Sequence, residues 1–153
     1  MAANTSPIFG RTPDVQVSGV INSGLILGPT ANTAQDGTGT LYAIFQADAT
    51  EGGWVDRVVV KSVGSPAATV IRIFYHTTTG AFTPGTTNTA SNTTMLTEYT
   101  AAAVTTSNTA AQTDIIIPIR AQIAAGQRLL IGFGTSTGAA GTGYVTTTFG
   151  SKY

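Results

Sequence analysis

The sequence predicts an all-β fold: an antiparallel β-sandwich of about eight strands, jelly-roll-like, preceded by an extended N-terminal arm. Three observations carry that reading. Of the 153 residues, 42% are hydrophobic and only 9% are charged, which is the opposite of the disordered composition. Threonine supplies 29 residues, and its branched β-carbon suits a pleated strand better than a helix. Short apolar runs recur between Gly, Pro and Asn turn signals, a spacing that fits a sandwich or barrel rather than an alternating α/β chain. Eight strands in two facing sheets is also the jelly-roll number.

The elements follow in order. Residues 1 to 14 hold Pro7 and Pro13 among small polar residues and read as an extended arm, which leaves 15 to 153 as one sandwich domain. Val15 to Ile21 is a first strand. Gly24 to Gly39 mixes turn signals around Leu25-Ile26-Leu27, giving a short strand and a loop. Thr40 to Ala47 (TLYAIFQA) is a strand with both faces largely apolar. After the Gly52-Gly53 turn, Trp54 to Val63 alternates as a strand and stops at Gly64-Ser65-Pro66.

Thr69 to His76 (TVIRIFYH) has the strongest strand pattern, and its short distance from the preceding strand predicts that the two are antiparallel neighbours. Thr77 to Asn92 is a long Thr, Gly, Asn and Pro loop around Phe82. Thr93 to Thr100 is the next strand. The Ala-rich stretch that follows, to Ala111, lacks a 3.6-residue apolar stripe and reads as loop. In Gln112 to Ile119, Pro118 points to an edge strand or a strand end. Ala124 to Gln127 connects to Arg128–Gly134, and a glycine-rich turn over 138 to 143 leads into the last strand, Gly143 to Gly150.

Composition excludes whole classes of function. Seven Lys and Arg balance seven Asp and Glu, so the chain has no electrostatic footprint for nucleic acid. The absence of Cys removes disulfides and thiolate chemistry. No apolar run approaches the roughly 18 residues of a membrane span. The first residues lack a signal peptide's basic head, which predicts synthesis and use without export.

No constellation of catalytic residues emerges either. His76 is the single histidine and reads as a strand-end residue. Asp48, Glu51 and Asp56 bracket a turn without the spacing of a calcium loop. Asp36-Gly37-Thr38-Gly39 reads as a turn, and the Gly-x-Gly triplets neither open a helix nor precede a lysine. The expectation is a non-enzyme with no catalytic residue, cofactor or metal.

What remains is contact chemistry. Ile8 and Phe9 form an apolar pair on a Pro-flanked arm, where no strand pattern gives them a core position. Pro7, Ile8, Phe9 and Arg11 on the arm, with Trp54 and Phe82 in the body, are therefore the candidate partner-contact residues.

Several segments together carry a resemblance. They are the opening Ala-Ala-Asn-Thr-Ser-Pro-Ile-Phe9, the Thr30-Ala-Asn-Thr-Ala-Gln-Asp-Gly-Thr-Gly39 loop, Val70-Ile-Arg-Ile-Phe74, and Ile119-Arg-Ala-Gln-Ile-Ala-Ala-Gly-Gln-Arg-Leu-Leu130. The chain resembles the small virion structural proteins of tailed bacteriophages, of the capsid decoration (cement) type. Ile123 to Leu130 is also similar to a turn of trimeric C1q-like jelly rolls, with Gln127 in place of their acid.

The phage resemblance implies a homo-oligomer, commonly a trimer, bound to the major capsid protein on the outer capsid surface, made in the host bacterial cytoplasm and without nucleic-acid or membrane partners. In that picture the arm docks on the capsid and uncharged strand faces mediate self-association. The alternatives are a tail or head-fibre component, or a carbohydrate-binding attachment sandwich presenting Trp54, Tyr42 or Tyr144 on one surface.

Overall fold

Strands form where the apolar runs predict them. The computed structural model describes residues 12 to 17 and 26 to 153, and among these there is no helix. In chain order the strands are β1 (Thr12–Val17), β2 (Tyr42–Gln46), β3 (Gly53–Val63), β4 (Thr69–His76), β5 (Thr93–Ala101), β6 (Ile115–Ile123), β7 (Arg128–Phe133) and β8 (Gly143–Lys152). Leu27 adds an isolated bridge to Tyr144, in place of a short strand at this point.

Antiparallel pairing joins β1 to β8, β2 to β7, β3 to β6 and β4 to β5, as if one long hairpin were nested about the β4–β5 connection. Rolling that hairpin adds β3·β8 and β4·β7 and yields two four-stranded sheets, β1-β8-β3-β6 and β2-β7-β4-β5. This is a jelly-roll arrangement. It also corrects one expectation: β3 and β4 are not neighbours, because the five residues 64 to 68 carry the chain from one sheet to the other. A hydrophobic period says which face of a strand is buried, not which sheet the strand joins.

Boundaries shift by a few residues. Thr12, Pro13 and Asp14, within the stretch read as arm, already pair with Lys152, Ser151 and Gly150 of β8. Residues 18 to 21, the second half of the expected first strand, lie outside the described residues.

The core sits between the sheets. Val55, Val58, Val60, Ile117 and Ile123 from the first sheet meet Ile44, Ile71, Ile73, Leu129, Ile131 and Phe133 from the second. All are buried, each removing roughly 1.5–3 kcal/mol worth of apolar surface from water.

A second, smaller apolar cluster lies on the opposite side of the second sheet, where Leu41, Ala43, Phe74 and Leu130 are buried beneath Phe82 and Met95. The cover is the chain's own loops. Asn88, in the β4–β5 loop, donates through Nδ2 to the Gly37 and Gly39 carbonyls, each at 2.8 Å. Asn32 donates to the Thr38 carbonyl at 2.9 Å and the Thr40 carbonyl at 3.1 Å. Arg72 ties the layer to the sheet, donating to the Asn32 carbonyl at 3.0 Å and to Glu98 at 2.7 Å.

Both edges of the first sheet carry a proline, Pro13 in β1 and Pro118 in β6. Proline cannot donate to a further strand, so these edges are blunted against extension of the sheet. Close approach inside this sheet fixes Gly150, where a Cβ would stand 2.2 Å from the Trp54 carbonyl oxygen.

Candidate functional site

The two sheets differ in what covers their outer faces. Loops cover the outside of β2, β7 and β4 in the second sheet, whose edge strand β5 leaves Leu96 and Tyr99 exposed, whereas the outside of β1-β8-β3-β6 keeps an apolar surface open to solvent across its four strands. Cross-strand register builds it. Val15 lies opposite Phe149, Phe149 opposite Arg57, and Arg57 opposite Pro118. The adjacent row runs Val17, Thr147, Val59, Ile116 across the same four strands. Val15 is 54% exposed and Ile116 56%. Directly opposed side chains share a face, so these residues form one patch rather than scattered apolar positions.

Charge on this face is largely paired. The Arg57 guanidinium lies 4.5 Å from the centre of the Phe149 ring and bonds Asp56 at 2.6 Å. Lys61 bonds Asp114 at 3.1 Å. Docking a second surface here meets little net charge, and the favourable term comes from the apolar side chains, since burying the ion pairs costs desolvation that their attraction only offsets.

Of the sequence candidates, Trp54 lies on this face, at 38% exposure, in register with Ser151 and Gln122. Phe82 is on the other side of the molecule. It is half-buried over the second cluster, edge-on to His76 with ring centroids 5.4 Å apart. The structure thus does not bring Trp54 and Phe82 together. Pro7, Ile8, Phe9 and Arg11 lie outside the described residues. The aromatics that a glycan site would need do not share a surface either: Tyr144 is buried and stacked on Phe133 at 5.5 Å, and Tyr42 packs against the core.

Val15, Phe149 and Ile116 were not singled out by sequence reasoning. A signal for one of them exists. In a strand, three consecutive isoleucines at 115 to 117 cannot all face inward, and period-two alternation leaves the middle one outside. Phe149 and Val15 carry no such mark, because only the pairing of the first strand with the last places them side by side.

The polar residues weighed for chemistry serve structure. His76 is buried, its Nδ1 3.0 Å from Thr93 Oγ1. Burial, and then the nearby Arg128 cation, hold its pKa below the ordinary histidine value. Arg128 is itself buried and donates to the Thr78 carbonyl at 3.2 Å and to that of Gly80. Asp48 accepts the Thr50 and Glu51 amide N–H groups at 2.8 and 3.1 Å, which lowers its pKa and fastens its own turn. Asp36 accepts from the Thr38 hydroxyl at 2.6 Å and amide at 3.0 Å, and these bonds likewise lower its pKa. With Asp56 held by Arg57 and Asp48 by its own turn, the carboxylates around the Gly52 turn do not converge on one point.

No family model matches the chain, and no curated protein matches it. Among solved structures the chain has a weak likeness to one described as "Structure of infectious bursal disease virus Gt strain", with a TM-score of 0.32 and 17% sequence identity. The match covers 99% of this chain and 36% of that chain, so this chain spans little more than a third of the length of the one it matches.

Proposed function

We propose that this chain is a virion structural protein, a capsid decoration (cement) protein that self-associates through the outer face of β1-β8-β3-β6 and engages the major capsid protein through its N-terminal arm. The observation that carries this reading is the uncovered apolar face itself. Jelly rolls serve capsid proteins, lectins and cupins alike, so the fold leaves function open and the surface has to decide it.

Three features favour a second copy of the chain as the occupant of that face. Pro13 and Pro118 blunt both edges of the sheet, so association has to use its face. The face is neutral, with Arg57 and Lys61 each paired, so two copies meet without charge repulsion. Its apolar side chains are Val, Ile, Phe, Pro and Trp, set among Thr147, Ser151 and Gln122 and the paired Arg57 and Lys61, and these apolar types bury well in permanent interfaces.

The arm supplies the other half. An oligomer presents several copies of Pro7, Ile8, Phe9 and Arg11 at once, and avidity multiplies a weak single contact when all can reach their sites. The role is structural rather than catalytic, on the outer capsid surface, in a homo-oligomer that we take to be a trimer made in the bacterial host, without nucleic-acid or membrane partners.

The test is co-purification with capsid particles. The expected result is a copy number proportional to the major capsid protein, abolished by deleting residues 2 to 11, a truncation that stops short of β1. Full binding by the truncated protein would overturn the arm model, and labelling confined to the tail in electron micrographs would move the protein to a tail or fibre.

A further inference from the structure

The loop over 77 to 92, between β4 and β5, covers the second apolar cluster in two parts that are held differently. Residues 83 to 92 are fastened by their own side chains. Asn88 donates to the Gly37 and Gly39 carbonyls, and Asn92 Nδ2 to the Thr87 carbonyl and the Thr78 hydroxyl, each of the last two at 3.0 Å. Residues 79 to 82 depend on β4 and β7 instead. The Arg128 guanidinium donates to the Thr78 and Gly80 carbonyls. The Phe82 ring packs edge-on against His76, with Arg128 Cζ 6.0 Å from its centre. A Cβ on Gly80 would meet nothing within 4 Å, so this part of the loop has open space to move into.

His76 and Arg128 are cross-strand partners, and both are buried. The Thr93 hydroxyl has one proton and gives it to Asn92 Oδ1 at 2.8 Å, so His76 Nδ1, 3.0 Å from Thr93 Oγ1, is the donor in that pair. The neutral ring therefore carries its proton on Nδ1, and a second proton goes to Nε2. Arg128 on β7 is the charged group that acts on the ring. The covering loop and the adjoining residues of β5, Thr93 to Leu96, have no ionisable side chain. Asp36, in the turn packed on Thr93, is bonded to the Thr38 hydroxyl and amide. Asp48, whose carbonyl accepts from the Gly126 N–H, is bonded to the Thr50 and Glu51 amides. Both acids are engaged within their own turns. A proton on His76 thus adds a second buried cation beside Arg128 without a carboxylate to offset it.

We propose that this arrangement is an acid-operated latch: protonation of His76 drives the Arg128 guanidinium off the Thr78 and Gly80 carbonyls, and residues 79 to 82 lift with Phe82 to uncover part of the second cluster. The arginine is the group that moves, because the imidazole is fixed in β4 and bonded to Thr93, whereas a long side chain under an exposed loop can reach water. Asn88 and Asn92 keep residues 83 to 92 in place, so the opening is local. In the closed form burial and Arg128 hold the His76 pKa below the 6.5 of a free histidine, and opening returns it toward that value. Acid therefore favours the open form, and the closed form is lost as pH falls from 6.5 through the closed-state pKa. The latch lies on the second sheet, away from the assembly face on the first, and stands or falls separately from the function proposed above.

The test follows the full-length protein by NMR from about pH 7.5 down to about pH 4.5, the range in which a histidine changes charge. It reads the His76 Cε1 proton, the NOE between the Phe82 and His76 rings, and the heteronuclear NOE of the amides of residues 79 to 82. While the protein remains folded, the ring NOE is expected to be lost and the heteronuclear NOE to fall, both with the midpoint of the His76 titration. Gly85 and Thr89, whose amides are bonded to Asn88 and Asn92, should hold their values. In His76→Gln the loop amides should keep theirs over the same range. Retention of the ring NOE with His76 protonated overturns the proposal. Unfolding before His76 titrates, or the same loosening of the loop in His76→Gln, overturns it as well. If that variant does not fold, the titration of the original protein decides alone.

Discussion

The Gln16 side chain is bonded through both ends of its amide to the backbone of Gln46. Its Nε2 donates to the Gln46 carbonyl at 2.8 Å and its Oε1 accepts from the Gln46 N–H at 2.7 Å. Gln46 ends β2, the edge strand of the second sheet, while Gln16 belongs to β1, the edge strand of the first. A side-chain amide thus takes the place of a further strand and joins the two sheets along one side. Gln16 also donates to Asp14, which holds its amide in orientation.

Replacing Gln16 by Ala removes both bonds and leaves the outer backbone groups of Gln46 to water. The expected loss is about 1–2 kcal/mol, read as a lower denaturant midpoint with an unchanged slope. Gln16→Glu keeps the acceptor but loses the donor and sets a second carboxylate beside Asp14. It should be destabilised near neutral pH and recover part of the loss on acidification.

Phe82 covers the second cluster from the β4–β5 loop. Phe82→Ala should destabilise by about 2 kcal/mol, less than for a fully buried phenylalanine because the ring is half-buried. It should also leave particle binding unchanged once the variant is folded. Loss of particle binding by a folded Phe82→Ala protein would assign the ring to a partner instead.

His76 gives stability a pH dependence of definite sign. Burial and Arg128 depress its folded pKa below the value of 6.5 for a free histidine. The unfolded chain therefore takes up the proton first, and stability from the neutral ring is complete above pH 6.5 and lost as pH falls through that value toward the folded pKa. In denaturant titrations His76→Gln should flatten the pH dependence in that window. An unchanged slope would show that His76 does not carry it.

How far the sequence discloses this structure depends on the kind of information asked of it. Thr69 to His76 is visible to the residue, because TVIRIFYH has no breaker inside and turn residues outside. TLYAIFQA and TVIRIFYH, each apolar on both faces, both fall in the sheet with a core on each side. The second cover there is the loops carrying Asn32 and Asn88, not a neighbouring chain. The phage resemblance implies self-association through uncharged strand faces, and the loop cover over the second cluster leaves the first sheet as the place where it is proposed.

Long-range pairing is what local patterns do not record. The sheet change at 64 to 68 looks like a hairpin, and the patch of Val15, Phe149 and Ile116 exists only because β1, β8, β3 and β6 lie side by side. Trp54 was legible as a contact residue by type alone. Its neighbours were not.

The central claim is that the open face of β1-β8-β3-β6 holds copies of this chain together. Ile116 stands on β6, at one edge of that face, and is more than half exposed, so Ile116→Glu should change folding stability by no more than about 0.5 kcal/mol. The most direct measurement is sedimentation velocity of the purified protein and this variant over a range of concentrations. The account predicts a single oligomer, a trimer, for the original sequence and a 15.6 kDa monomer for the variant at an unchanged melting temperature. A monomer for the original sequence throughout, or an oligomer undisturbed by Ile116→Glu, would contradict it.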